Sequence, residues 1–144
     1  MLDLGDPVLG ARRPKISRVV EPAATRNHTQ LALTAFGATV RTTGLSIEVE
    51  GAARLVAGEF EVPGDMSSAA FLIAAAAVMP GAHLELPGIG INPTRSGFLA
   101  LLQQMGARIR VENTRRSGNE PVGDLIVEGA ELEGAEVAGA MIPN

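Results

Sequence analysis

Short stretches in which apolar and polar residues alternate predict β-strands along much of the chain. The clearest is 45–49, where Leu45, Ile47 and Val49 alternate with polar residues, as in a half-buried strand. Together with 38–41 it predicts a β-hairpin. Further short strands are predicted over 16–21, 60–62, 82–86, 107–112 and 124–128, with a last one that includes Leu132, Ala135 and Val137.

Three segments with capping residues predict helices. Thr25 is expected to cap a helix that runs to Phe36, and Thr94 one that runs to Met105, each with a glycine just after its end. Asp65 is expected to cap a helix over 67–78. That helix is apolar on all sides, which predicts burial on every face.

The sequence also contains an internal repeat. Thr25-Arg26 and Gly37-Ala38 return 69 residues later as Thr94-Arg95 and Gly106-Ala107. Gly51-Ala52 returns as Gly129-Ala130 with an offset of 78, which predicts a surface insertion of nine residues such as 113–121. A repeated unit of strands and helices predicts a layered α/β fold with helices under mixed sheets.

Composition narrows the functional classes. The 144 residues are 46% hydrophobic, enough for a core, but only 3% aromatic, and the net charge is −4. A nucleic-acid surface would need a basic stripe and usually stacking aromatic residues. The absence of cysteine excludes disulfides, zinc–thiolate sites and thiol catalysis, and it is compatible with the cytoplasm. No apolar run is long enough to cross a bilayer, and residues 1–15 are predicted to be an irregular leader.

Three stretches together resemble one protein family. Residues 19–29 resemble its EP-x-x-S/T-R-D-H-T-E segment, and residues 62–71 its PGD-x-SSAAF segment. Residues 90–97, 105–107 and 120–125 resemble its NPTR-x-G, MGA and EPV-x-DL segments. The family is that of 5-enolpyruvylshikimate-3-phosphate (EPSP) synthase, or 3-phosphoshikimate 1-carboxyvinyltransferase. UDP-N-acetylglucosamine enolpyruvyl transferase is similar in fold, and a relation to it is the alternative.

The resemblance implies a fold, a reaction and a division of the chain. The fold is an inside-out α/β fold of repeated βαβαββ units, here incomplete. The reaction moves the enolpyruvyl group of phosphoenolpyruvate to the 5-hydroxyl of shikimate 3-phosphate, in aromatic amino acid biosynthesis in the cytoplasm. Residues 16–62 would be the end of one domain and 63–144 the beginning of the other, as a middle part of a longer enzyme.

The same resemblance makes Thr25 and Arg26 candidate substrate-binding residues. They match the family's S/T-R pair, which contacts shikimate 3-phosphate, although Asn27 stands where the family usually has Asp. An anion at a helix N-terminus is chemically reasonable. The simpler reading is that Thr25 is only an N-cap and Arg26 a solvated residue. Thr94, Arg95, Asp65 and the serines 67–68 are expected to be structural.

The resemblance assigns no catalytic residue to the chain. The family's catalytic Asp, and the Arg and Glu residues that bind phosphoenolpyruvate and bear on glyphosate sensitivity, would come after residue 144. No cofactor is implied. A metal site is not expected either, because His28 and His83 have no third ligand nearby. The chain would be active only if other residues supplied these groups. The alternatives are a non-catalytic module that binds anions weakly or self-associates through uncovered apolar faces, and a domain without an independent role.

Overall fold

A computed structural model describes residues 15–51 and 54–137. The strands in these ranges are β1 (Ile16–Val20), β2 (Val40–Thr43), β3 (Ser46–Glu50), β4 (His83–Gly90), β5 (Arg108–Ser117) and β6 (Glu120–Glu128), and the helices are α1 (His28–Ala35), α2 (Met66–Val78) and α3 (Gly97–Gln104). The three predicted helices and both predicted hairpins are confirmed. Within the described ranges, no helix combines the length and the apolar character that a bilayer crossing needs.

The first sheet contains β1, β3 and β2, with β3 in the middle and all pairs antiparallel. In the β2–β3 hairpin, Val40 lies opposite Val49 and Thr43 lies opposite Ser46. Gly44 follows at φ +58°, a backbone conformation that glycine adopts without steric strain. The alternation predicted over 45–49 is therefore that of the central strand of a small sheet.

The second sheet has the same arrangement, with β6 between β4 and β5. Gly118 and Asn119 form the two-residue turn of the β5–β6 hairpin, and both have positive φ, as a type I′ turn requires. The insertion predicted over residues such as 113–121 lies in this hairpin and makes it longer than the β2–β3 hairpin. The turn end of this hairpin contacts the first half of the chain, where the Ser117 hydroxyl donates to the Glu61 carbonyl at 2.6 Å.

Asp124 on β6 stabilises the places where the strand register shifts in β4 and in β5. Its carboxylate accepts hydrogen bonds from the Gly88 amide at 2.8 Å and from the Asn113 side chain at 2.9 Å. Arg115 on β5 forms an ion pair with it at 3.3 Å. These contacts, led by the bond from the Gly88 amide, hold the pKa of the Asp124 carboxyl below its ordinary value.

The predicted repeat is confirmed by the topology. Helices α1 and α3 each contain eight residues, and their first residues, His28 and Gly97, are 69 positions apart. Their N-caps, Asn27 and Ser96, have nearly the same backbone angles (φ −106°, ψ 16° and φ −100°, ψ 12°). Strand order β1-β3-β2 recurs as β4-β6-β5. The chain therefore contains two copies of one βαββ arrangement.

Residues just before α2 add a short parallel pairing to the second sheet. Gly64 bridges Ile89 in parallel, with its amide donating to the Gly88 carbonyl at 2.8 Å. The strand predicted over 60–62 is not formed, so this single bridge takes its place. From Gly64 to β6 the order is extended segment, helix, strand, helix, strand, strand. This is the βαβαββ order, and the layered α/β prediction is confirmed with the first copy incomplete.

The core lies between the second sheet and helices α2 and α3. Ile73, Leu125 and Val127 are fully buried there. The prediction that α2 is buried on every face is wrong, because Phe71 is 80% and Leu72 is 56% exposed. The helix packs against β4, β6 and α3 on one side. None of the residues that the structure describes covers its other side.

The two ends of the chain differ from the predictions in different ways. The final strand predicted around 132–137 is wrong, since the described residues 131–137 form no strand. Instead Leu132 packs against the core, and the Glu133 amide donates to the Met105 carbonyl at 2.8 Å. The leader predicted over 1–15 lies outside the described residues except for Lys15. The division into 16–62 and 63–144 stays a prediction.

Candidate functional site

The predicted substrate-binding residues lie in the connection between β1 and α1. Asn27 rather than Thr25 is the N-cap, and the helix begins at His28. The hydroxyl of Thr25 donates to the Glu21 carboxylate at 2.6 Å. Thr25 is therefore not the predicted cap, because the helix begins three residues after it, and its hydroxyl instead joins the connection to the end of β1.

Arg26 is exposed next to Thr25. Its guanidinium forms no ion pair and no hydrogen bond with any residue in the described ranges, so its five N–H donors face water. Arg26 thus has the chemistry that a phosphate contact needs, namely a fixed positive charge and several donors that are not already engaged.

Arg95, the residue that corresponds to Arg26 in the second copy, is engaged within the fold. Its Nη2 atom lies 3.1 Å from Oδ1 of Asp65 and donates to the Ser67 hydroxyl at 2.5 Å. These contacts agree with the prediction that Arg95 is a structural residue. The two arginines share a sequence position in the repeat but have different surroundings, since Arg95 holds Asp65 and Ser67 through Nη2 whereas Arg26 has no partner among the described residues.

Asp65 is the N-cap of α2, as predicted. Its Oδ2 atom accepts from the backbone amide of Ser68 at 2.9 Å and from the Ser68 hydroxyl at 2.8 Å. The hydroxyl bond is the largest of the effects that lower the pKa of the Asp65 carboxyl, and Arg95 adds a smaller one. These contacts identify Asp65 and the serines beside it as structural residues.

A cavity of about 330 Å³ lies next to Thr25. Thr25, Asn27 and Thr94 line it, so the structure brings the repeat-related threonines to one place. Arg26 does not line it, and Glu21 does. A phosphate in this cavity would meet the Glu21 carboxylate. The interior of the cavity is therefore an unfavourable place for a phosphate.

Asn92 is the central polar residue of the contact between the two copies. It is only 2% exposed. Its amide nitrogen donates to Oδ1 of Asn27 at 2.8 Å and to Oε1 of Glu120 at 2.9 Å. Its amide oxygen accepts from the backbone N–H of Thr94 at 2.9 Å and from the Thr94 hydroxyl at 2.8 Å. All of its principal hydrogen-bonding groups are used, as burial of an amide requires.

This arrangement also explains why the predicted cap at Thr94 is wrong. Asn92 closes a turn over residues 92–94, and α3 begins only at Gly97 with Ser96 as its N-cap. An Asn side chain that bonds to a backbone amide two residues later offers an alternative to helix formation. The Asn92-Pro93 dipeptide signals a turn, but its contacts with Asn27 and Glu120 have no local sequence signal.

His28 and Glu120 complete the contact. Nδ1 of His28 lies 2.9 Å from Oε1 of Glu120, the oxygen that also accepts from Asn92. The two side chains are 36% and 18% exposed. Both line a larger cavity of about 510 Å³ between the copies, where Phe36 and Phe60 meet edge to face with ring centroids 4.9 Å apart. Within the described residues, no group of three or more acidic, His or Cys side chains could hold a metal ion.

Comparison with known proteins identifies the family. The family model for EPSP synthase (3-phosphoshikimate 1-carboxyvinyltransferase) matches residues 10–143. The chain is 48% identical over 126 residues to the 3-phosphoshikimate 1-carboxyvinyltransferase of Desulforamulus reducens, covering 88% of this chain and 29% of that protein. With the Bacillus subtilis protein of the same name it shares 40% identity over 135 residues, covering 94% of this chain and 32% of that protein.

A solved structure gives the same result. EPSP synthase from Acinetobacter baumannii has a TM-score of 0.85 and 43% sequence identity to the chain, over 89% of this chain and 29% of that one. The chain thus spans about 29% of the length of this structure and of several of its relatives. With the repeated βαββ topology and a family match over residues 10–143, the chain belongs to the EPSP synthase family.

Proposed function

We propose that this chain is the part of an EPSP synthase that contacts shikimate 3-phosphate through Thr25 and Arg26. The whole enzyme would transfer the enolpyruvyl group of phosphoenolpyruvate to the 5-hydroxyl of shikimate 3-phosphate and release phosphate. This is a step in aromatic amino acid biosynthesis, and we expect it in the cytoplasm. The matches above name the shikimate enzyme, which favours it over UDP-N-acetylglucosamine enolpyruvyl transferase.

The observation that carries the proposal is the contrast between Arg26 and Arg95. Arg95 holds Asp65 and Ser67, whereas Arg26 is exposed with no ion pair to a described residue. An arginine with free donors next to a hydroxyl can bind a phosphate group with several charge-assisted hydrogen bonds. Thr25 would contribute by turning its hydroxyl from Glu21 to a phosphate oxygen, with the Arg26 charge compensating for the lost contact.

Titration with shikimate 3-phosphate tests this proposal. Isothermal calorimetry should show binding to the unmodified chain and about tenfold weaker binding to Arg26→Ala, because charged hydrogen bonds are lost. Thr25→Ala should weaken binding less. Arg18→Ala is the matched control, since Arg18 is exposed on β1 and lies outside both cavities. Equal affinities of Arg26→Ala and the unmodified chain would overturn the proposal.

Catalysis is proposed for a longer enzyme rather than for residues 1–144 alone. The resemblance places the carboxylates that transfer protons, and the cations that bind phosphoenolpyruvate, after residue 144. The chain should therefore release no phosphate from phosphoenolpyruvate and shikimate 3-phosphate above background. Release that disappears in the Thr25→Ala, Arg26→Ala double variant would show that the chain already contains a complete active site.

Self-association is a second proposed property, and it rests on α2. The helix contains no charged residue, and its Phe71, Leu72 and Val78 are all more than half exposed. A row of exposed apolar side chains on one helix is typical of an interface. Copies of the chain would bury these side chains against one another, since exposed apolar area favours association.

A further inference from the structure

The turn before α3 and the connection before α1 occupy equivalent positions in the repeat but are held differently. In the second copy, Asn92 closes its own turn by accepting both hydrogen bonds from Thr94. The equivalent position in the first copy, 69 residues earlier, is Ala23. Alanine has no side-chain acceptor, so the connection that carries Thr25 and Arg26 has no such local clamp.

The second copy supplies the missing support. Asn92 uses its amide nitrogen to hold Oδ1 of Asn27, the residue directly after Arg26. The same nitrogen donates to Glu120, which in turn contacts Nδ1 of His28 at 2.9 Å. The two residues that follow Arg26 are therefore both fixed from the other copy. Asn92 itself is 2% exposed, so its orientation is set by four hydrogen bonds in a nearly dry environment.

We propose that Asn92 and Glu120 are positioning residues for shikimate 3-phosphate binding, which they support by fixing the backbone next to Arg26. They do not contact the substrate themselves. The inference rests on the function proposed for Thr25 and Arg26. It assigns a specific role to the contact between the copies. The substrate-binding arginine is held in place by Asn92 and Glu120, which lie 66 and 94 positions further along the chain.

Asn27 offers the cleanest test, because its side chain forms no capping hydrogen bond in α1 and its contact with Asn92 can be removed alone. Asn27→Ala removes the acceptor but leaves Asn92 bonded to Glu120 and Thr94. Asn27→Asp keeps an oxygen acceptor for the Asn92 amide. Ser96→Ala is the matched control, because Ser96 is the equivalent N-cap of α3 and also forms no side-chain cap bond.

Calorimetric titration with shikimate 3-phosphate should show about fivefold to tenfold weaker binding for Asn27→Ala, since one supporting hydrogen bond is lost. Asn27→Asp should bind within about twofold of the unmodified chain, and so should Ser96→Ala. A purely structural role of Asn27 would lower the melting temperature but leave the affinity unchanged. Hydrogen exchange at the Leu31 amide, which donates to the Asn27 carbonyl at 3.1 Å, should become faster in Asn27→Ala if the Asn92 contact supports the start of α1.

The outcomes separate this inference from the proposal on which it rests. Loss of binding in Arg26→Ala together with unchanged binding in Asn27→Ala would overturn the positioning role alone. Failure of the unmodified chain to bind shikimate 3-phosphate would overturn both. Glu120→Ala provides an independent variant, because it removes the contacts with both Asn92 and His28 from the other side of the cluster. It should weaken binding of shikimate 3-phosphate about as much as Asn27→Ala, and an affinity equal to that of the unmodified chain would contradict the positioning role of Glu120.

Discussion

Gly129, directly after β6, lies against the carbonyl oxygen of Met79, which follows α2. A Cβ atom added at Gly129 would be 1.8 Å from that oxygen and 3.2 Å from the backbone nitrogen of Ala82. The Gly129 amide also donates to the Ala82 carbonyl at 2.9 Å. The end of β6 is thus joined to the residues that follow α2 by backbone contacts that leave no room for a side chain at Gly129.

Gly129→Ala should therefore destabilise the fold strongly. The clash is with backbone atoms, so rotation of a side chain cannot relieve it, and we expect a loss of about 3 kcal/mol in the free energy of unfolding. Urea denaturation measures this directly. Gly134→Ala is the control, because nothing lies within 4 Å of a Cβ atom added there. Similar stability losses in the two variants would contradict the backbone clash.

A second prediction concerns the core under the second sheet. Leu125 on the central strand is fully buried, and Leu55 is 54% exposed. Leu125→Ala should lower the free energy of unfolding by about 3 kcal/mol, through the lost burial and the cavity that remains. Leu55→Ala should change it by less than about 1 kcal/mol. Equal effects would show that the second sheet does not carry the main core.

The features predicted from sequence are those that local chemistry determines. Asp65 caps α2 because its carboxylate reaches Ser68 three residues later. The hairpins follow from alternation and from glycines with positive φ. Both short helices end close to the glycines that predict their C-terminal ends, and their first residues lie 69 positions apart, as the repeat requires.

The features that were missed depend on distant residues. Thr25 and Thr94 were predicted as caps, but Glu21 and Asn92 engage their hydroxyls instead. The cluster around Asn92 joins residues up to 93 positions apart, so no local pattern indicates it. The exposed face of α2 could not be anticipated either, because the apolar sequence of a helix does not show how much of it other residues cover.

A third prediction uses the lowered pKa of Asp65. Hydrogen bonds from Ser68 and the nearby Arg95 stabilise the charged carboxylate, so its pKa in the folded state is below the ordinary value of 3.8. A group of this kind stabilises the fold above its unfolded pKa, and the contribution is lost as the pH falls below about 4 through the folded-state value. Stability should therefore decrease from pH 5 to pH 3.

Asp65→Asn isolates this contribution, because asparagine can also cap a helix but does not titrate. The decrease in the urea midpoint between pH 5 and pH 3 should be smaller in Asp65→Asn than in the unmodified chain. Glu59→Gln is the control, since Glu59 is exposed and has no ion pair with a described residue. If the two variants showed the same pH dependence, the cap of α2 would not be a source of acid sensitivity.

The last prediction concerns the uncovered face of α2. Phe71 is 80% exposed and lies beside Leu72 on a helix without charged residues. If copies of the chain associate through this face, Phe71→Glu should shift the sedimentation profile toward the monomer, because a buried carboxylate without a partner is unfavourable. The side chain makes little contact within the chain, so the melting temperature of the monomer should change little. Val137→Glu, at a side chain 47% exposed outside α2, controls for added charge. Association that persists in Phe71→Glu but not in Val137→Glu would place the interface elsewhere.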